Sequence, residues 1–291
     1  MKKTVVIIVV ILCIIAIGVC SAILYNRMQN DPTFLGTDVV NNAEENSNTI
    51  VAQMPEVQIY KGSDRPIAVM IDNNIDAQPQ AGLNDAYMVY EIIVEGGESR
   101  IMALFKGVSL DKIGPVRSAR HYFLDYALEN DAIYVHYGSS PQALSDIDTL
   151  GVDAINGINY SEEQFWRVSD KYAPHNAVTS IENILSIAEK DGYRRYKKDD
   201  VTVLNYVVAE VNLENGETAN TVTIPYSYAN TVRYEYDADL KEYVRYSRDK
   251  KQVDWDTGKT VTTKNIIIEK AENTTLNDGS EKGRQTLDNI K

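Results

Sequence analysis

Short apolar runs closed by polar or small residues constrain this chain most. Pro66–Asp72 reads as a buried strand feeding the loop Asn73-Asn74, and Ile101–Phe105 as another buried strand. Ala86–Val94 and Ala132–His136 are further strands, and Val152–Ile155 is a shorter one. Between the second and third runs stands Glu95-Gly96-Gly97-Glu98, whose paired glycines signal a hairpin. Helical spacing recurs over His121–Asn130, Gln142–Leu150 and Thr179–Lys190. The order predicts an α/β fold, a mixed sheet with flanking helices, over residues 61–198. From Val201 the texture changes to strand-like segments, Val201–Val211, Thr221–Pro225, Val232–Tyr236, Tyr243–Tyr246 and Asn265–Glu269. This predicts a smaller β-rich domain over 199–291, with Arg194–Asp200 as the seam.

The stretch Ile113-Gly114-Pro115-Val116-Arg117-Ser118-Ala119-Arg120 lies between a strand and a helix. A proline suits the first turn of a helix, where its missing N–H costs nothing. The spacing therefore predicts Arg117 and Arg120 on one side of an opening helical turn. Free N–H groups, the helix dipole and two guanidinium forks would suit a carboxylate, a phosphate or a sugar acid. The competing expectation is that each arginine braces the fold against a buried carboxylate.

At the N-terminus Lys2-Lys3 precedes an almost unbroken apolar run from Val5 to Tyr25, about the ~20 residues that cross a bilayer as a helix. Two lysines before it and a single Arg27 after it keep the N-terminus cytoplasmic and put the body outside. Residues 1–25 thus read as a transmembrane anchor or signal. An uncleaved anchor is favoured over a cleaved signal, for which the run is long, and over lipidation at Cys20, where Val19 is bulky for such a box. Residues 26–60, with Asn-Asn-Ala-Glu-Glu-Asn-Ser-Asn at 41–48, have the composition of a disordered stalk.

Charge and cysteine use exclude several classes. With 29 basic and 42 acidic residues the net charge is −13, against a general nucleic-acid binder. Both cysteines, Cys13 and Cys20, fall in the apolar run, so the remainder has no disulfide, thiol nucleophile or cysteine zinc site. The histidines His136 and His175 lack a third ligand at fixed spacing, so no metal and no cofactor is expected, and metal-dependent chemistry at that pair stands only as a third reading. Ser139 and Ser140 beside His136 lack the Gly-x-Ser-x-Gly elbow.

Carboxylates are better candidates. Glu91 and Glu95 share a strand face, but four residues at ~3.3 Å each separate them by roughly 13 Å, beyond the ~5–9.5 Å of a glycosidase pair. One is expected to balance Arg117 or Arg120, with its pKa lowered, and the other to face a cleft.

Several segments together resemble the YerB-like family: Arg65–Met70, Pro79–Leu83, Val89–Glu91, Glu95–Gly97, Gly114–Arg120, Val135–Pro141 and Pro174–Asn176. The resemblance spans roughly residues 60–291 and implies a membrane-attached extracytoplasmic protein of a Gram-positive-type envelope, built from a domain of unknown function and a smaller C-terminal domain. It brings no established activity. Its motif positions Glu91, Glu95, Arg117, Arg120, His136, His175 and Asn176 are carried over as a pocket, with Ser140 beside them. The chain departs from the family in its poor lipidation box. It also stops at Lys291, where the family continues into a Gly-rich hairpin; if the chain is truncated there, the β module has an open edge.

The expected function is binding, with cleavage left open, of peptidoglycan-type cell-wall glycan or peptide. The expected site has Glu95, His136 and His175 as catalytic groups and Arg117, Arg120, Glu91, Asn176 and Ser140 as binding groups, and tyrosines stack on the sugars. The alternative is a non-catalytic envelope scaffold whose β module recruits a protein partner.

Overall fold

Side chains along a strand alternate between faces, so a strand covered on both sides is apolar over most of its length, with polar residues kept to its ends. Strands β1 (Ile67–Asp72) and β3 (Ser99–Phe105) are buried at every position, as is β4 (Ile133–His136). The computed structural model describes residues 64–198, 203–204, 211, 215–279 and 283–288. The expected anchor (1–25) and stalk (26–60) lie outside the described residues, as do most of Val201–Val211.

β1 and β3 join β2 (Met88–Ile93), β4 and β5 (Ala154–Asn156) in a five-stranded sheet of order β2-β3-β1-β4-β5. β1–β3 and β2–β3 are antiparallel, while β1–β4 and β4–β5 are parallel, so the sheet is mixed. The β2–β3 hairpin turns through Glu95–Gly97, where Gly96 and Gly97 have φ of 69° and 73°. A side chain there would meet the left-handed penalty that glycine avoids. One face of the sheet, through Ile67, Val69, Ile71, Ile101 and Phe105, packs on helix α3 (Ile181–Lys190). The other, through Ala68, Met70, Met102, Leu104 and Tyr134, packs on α1 (Phe123–Glu129) and α2 (Pro141–Thr149). The α/β expectation holds: a mixed sheet with flanking helices.

The helix expected from the arginine pair onward is shorter and starts later. α1 begins at Phe123, and the preceding stretch runs extended. Its backbone is taken up by neighbours. Asp72 N–H donates to the Pro115 carbonyl, Arg117 N–H to Met70, Val116 N–H to Ala177 and Ala119 N–H to Gly138. A proline with a free carbonyl partner in the sheet suits a strand edge as well as a first helical turn. The neighbours' unpaired strand-end groups decide between them. Arg117 and Arg120 are therefore carried by a seam, and neither stands in a helical turn.

Residues 166–167 (β6) and 177–178 (β7) form a two-stranded ladder. A second sheet follows. It comprises β8 (Thr221–Pro225), β9 (Thr231–Asp237), β10 (Glu242–Ser247) and β11 (Lys250–Lys251), with β12 (Thr262–Thr263) on β10. β13 (Glu272–Thr275) and β14 (Gln285–Asp288) make a separate hairpin. This part is β-rich, as expected. Asn265–Glu269 is not a strand. Ile267 and Ile268 there are 68% and 54% exposed, and no described strand pairs with them. Residues Val57–Lys291 form one compact unit.

Polar side chains join the two sheets. Buried Arg245 on β10 donates through Nη2 to Oε2 of Glu91 on β2 at 2.7 Å. The Tyr226 hydroxyl donates to the Glu91 carbonyl at 2.9 Å, and Gln252 Nε2 donates to Gln80 Oε1 at 2.6 Å. Asp254, also buried, accepts from Gly82 N–H at 2.7 Å. Among the described residues no helix is long and apolar enough to cross a membrane.

Candidate functional site

The chain leaves β1 toward β2 and β3 on one side and later places β4 on the other. The carboxyl end of β1 is therefore a topological switch point, where open α/β sheets present a crevice. A polar cleft of about 370 Å³ opens there. Asp72 is the last residue of β1. Arg100 sits opposite it on β3, on the face of Met102 and Leu104 because of the two-residue period. The seam 113–120 runs alongside and contributes Arg117, Ser118 and Arg120, and the loop after β4 contributes Ser139 and Ser140. Glu95 and Glu98 come from the β2–β3 turn, His175 from the β6–β7 connection, and Arg284 from the segment entering β14.

Within the cleft, His175 and Asp72 are tied: Nδ1 lies 2.7 Å from Oδ2. Such a bond fixes the ring and leaves Nε2 as the nitrogen available to a ligand. Asp72 is itself held, its Oδ1 accepting from Asn74 N–H at 3.1 Å. Arg117 Nε lies 3.1 Å from the same Oδ2, and no described residue accepts from its terminal nitrogens. Arg120 grips Glu95 as a fork, Nε to Oε1 at 2.7 Å and Nη2 to Oε2 at 2.9 Å. Burial raises the Glu95 pKa, but the Arg120 fork and its charge outweigh that and hold the carboxyl below the usual carboxylate range. Glu95 therefore sits ionised in a clamp, a poor proton donor and a good anchor for Arg120. Ser140 caps α2, its Oγ accepting from Ala143 N–H at 3.2 Å.

Five of the sequence-derived site residues are thus brought together: Glu95, Arg117, Arg120, Ser140 and His175. Three are not. His136 is buried on the sheet, its Nδ1 2.7 Å from the Gly138 carbonyl. Burial pushes its pKa down to about 4, partly offset by that hydrogen bond, which suits a neutral packing histidine. Glu91 accepts from Asn73, Ser99 and Arg245 and braces the junction between the sheets. Asn176 accepts from Arg167 and donates to the Val168 and Lys171 carbonyls, so it shapes the loop that holds His175. The expectation that Arg117 or Arg120 balances one of the two glutamates holds for Glu95, while Glu91 takes Arg245 instead.

Sequence reasoning missed Arg100 and Asp72. A single charge at the start of the apolar run Ile101–Phe105 was a signal for the first, and Asp72 closing a buried strand was one for the second. Arg284 comes from a distant hairpin and had no local signal. Tyrosine stacking on sugars finds no support here, since no tyrosine, tryptophan or phenylalanine among the described residues lines the cleft. The tyrosines instead pair on the sheets and around α1, as Tyr236 with Tyr243 and Tyr90 with Tyr126. Among the described residues no cluster of three histidine, cysteine or acidic side chains could hold a metal.

Comparison with known proteins places the chain. Residues 53–194 match the N-terminal domain, and residues 222–291 the C-terminal domain, of a protein of unknown function, DUF3048. The Bacillus subtilis (strain 168) protein named "Putative lipoprotein YerB" is 34% identical over 227 residues, covering 77% of this chain. The chain spans 66% of that relative's length. The crystal structure of YerB from Bacillus subtilis superposes with a TM-score of 0.67 at 32% identity, covering 78% of this chain and 74% of the other. The chain therefore belongs to the family defined by the paired DUF3048 domains, and with it to the YerB-like proteins.

Proposed function

We propose that the protein is a membrane-associated, extracytoplasmic envelope protein whose cleft binds anionic cell-wall material of the peptidoglycan type. Location rests on the apolar run Val5–Tyr25 and on a relative whose name describes a lipoprotein. Binding rests on one observation above the others. The terminal nitrogens of Arg117 stand in an open polar cleft with no protein acceptor among the described residues. Guanidinium forks presented this way recognise carboxylates and phosphates, which peptide stems and wall polymers carry. If the bound material is also cleaved, His175, oriented by Asp72, is the group placed to accept a proton from water, and Glu95 holds Arg120 in place.

Sedimentation of the full-length protein with purified sacculi tests the reading, with muropeptide release followed in the supernatant. Wild type is expected to co-sediment and Arg117→Ala to remain soluble. Equal sedimentation of the two refutes the cleft as the binding site. Release that vanishes in His175→Gln would add hydrolysis. A second reading, a scaffold, draws on exposed Ile267 and Ile268 in the β-rich part. It is favoured if cross-linking at residue 267 in cells captures an envelope protein while sacculi fail to bind.

A further inference from the structure

We infer that the cleft is built for a phosphoryl group, so that the ligand is a phosphate ester or a phosphate-bearing polymer. The inference rests on the cleft reading above and narrows its substrate class. Arg100 carries it. The residue is only 6% exposed, and among the described residues its guanidinium makes one hydrogen bond, Nη1 to the Ser118 carbonyl at 2.5 Å. Among the described residues no carboxylate lies within ion-pairing distance of it. Asp72 and Glu95 act on it through space without touching it, and a buried charge that no carboxylate contacts is costly. Here the rest of the guanidinium faces the cleft, where a ligand can bring an anion into direct contact.

The neighbours sharpen the chemistry. Arg117 and Arg120 crowd Arg100 with like charge. After the burial effect, Arg120 is the largest contributor to the fall of its pKa to about 10, Asp72 and Glu95 act against that fall, and at neutral pH Arg100 remains cationic. A carboxylate, with two oxygens in one plane, is satisfied by a single fork, as Glu95 is by Arg120. Groups converging from β3 (Arg100), the seam (Arg117) and the β6–β7 loop (His175) come from three directions. They match an anion with three or four acceptor oxygens arranged tetrahedrally. Serine side chains complete a lining without tyrosine, tryptophan or phenylalanine, which suits a small hydrophilic head more than a sugar face.

Calorimetric titration of the full-length protein in detergent micelles, with inorganic phosphate in one arm and acetate in the other, tests this. Phosphate is expected to saturate one site per chain and to raise the melting temperature. Acetate should bind at least ~10-fold more weakly, because it forgoes at least one charge-assisted hydrogen bond. Arg100→Met and the more exposed Arg117→Gln should each weaken phosphate by roughly 10-fold or more, and the second keeps the test alive if the first fails to fold. Acetate binding as tightly as phosphate, or phosphate binding untouched in Arg117→Gln, overturns the phosphoryl assignment. The two readings fail separately. Sacculi held through Arg117 without phosphate saturation would leave wall binding standing alone, and phosphate saturation without sacculi would leave only the phosphoryl site.

Discussion

Replacing Glu91 by glutamine should loosen the junction between the mixed sheet and the β-rich part more than any change in the cleft. Glu91 Oε1 accepts from Asn73 Nδ2 at 2.9 Å and from Ser99 Oγ at 2.6 Å, and Oε2 accepts from Arg245 Nη2 at 2.7 Å. Both side chains of the pair are nearly sealed from water, at 8% and 6%. Burial alone would lower the Arg245 pKa, yet the Glu91 charge reverses this and drives it upward, so the guanidinium relies on that carboxylate. A glutamine oriented to keep Asn73 and Ser99 turns an amide N–H toward Arg245, donor against donor. Removing one member of a buried pair costs about 3–5 kcal/mol. At ~2–4 °C per kcal/mol for a unit of this size, the expected loss is roughly 6–20 °C in melting temperature. Thermal melts followed by circular dichroism read this directly. Arg245→Met strands the buried Glu91 carboxylate without its counter-charge and should cost a comparable amount, and the double variant should recover part of the Glu91→Gln loss, with a coupling of at least ~1 kcal/mol. A Glu91→Gln melt within ~2 °C of wild type, well below the shift expected from breaking such a pair, would refute the argument that this ion pair holds the two sheets together.

Because burial depresses the His136 pKa to about 4, the unfolded chain takes up a proton before the folded one does as pH falls. Stability present above the ordinary imidazole value is therefore lost by up to about 3 kcal/mol between pH ~6.5 and ~4, and His136→Gln should flatten that part of the pH–melting profile. Gly114 has φ of 135° and a Cβ there would stand 2.7 Å from Val116 N, so Gly114→Ala should lose at least ~2 kcal/mol in urea unfolding. Glu95→Gln removes one negative charge from the cleft and half-frees the Arg120 fork. At ~6 Å and an effective dielectric near ~20 this is worth up to ~3 kcal/mol, so titration should show anion binding tightened at least ~3-fold, whereas a weaker affinity would mean that Glu95 itself contacts the ligand.

Much of the architecture was legible because burial on both faces leaves a plain mark. Ile67–Ile71 and Ile101–Phe105 are continuous apolar runs, and the Gly96-Gly97 turn between β2 and β3 follows from backbone freedom alone. The helix start was misread because Gly-Pro before helical spacing has two physical outcomes. The choice depended on Met70, Ala177 and Gly138 offering backbone partners to residues 115–119, which no local pattern contains. Asn265–Glu269 failed for the converse reason: three isoleucines give a strand propensity, but a strand needs a neighbour, and none of the described strands supplies one.

The cleft shows how a residue set can be legible when its physical rationale is not. Arg117 and Arg120 were picked for a helix terminus that does not exist, yet they do line a cleft, because the seam that replaces the helix crosses the switch point of the sheet. Bracing and recognition, set against each other on the sequence, turn out to be divided between the two side chains. Arg120 is clamped by Glu95, while Arg117 offers its terminal nitrogens to the cleft. The deciding charge, Arg100, lay outside the motif. Only the register Asp72↔Arg100 brings it beneath the seam, where none of the described carboxylates touches it, and that is the feature on which the proposed anion site rests.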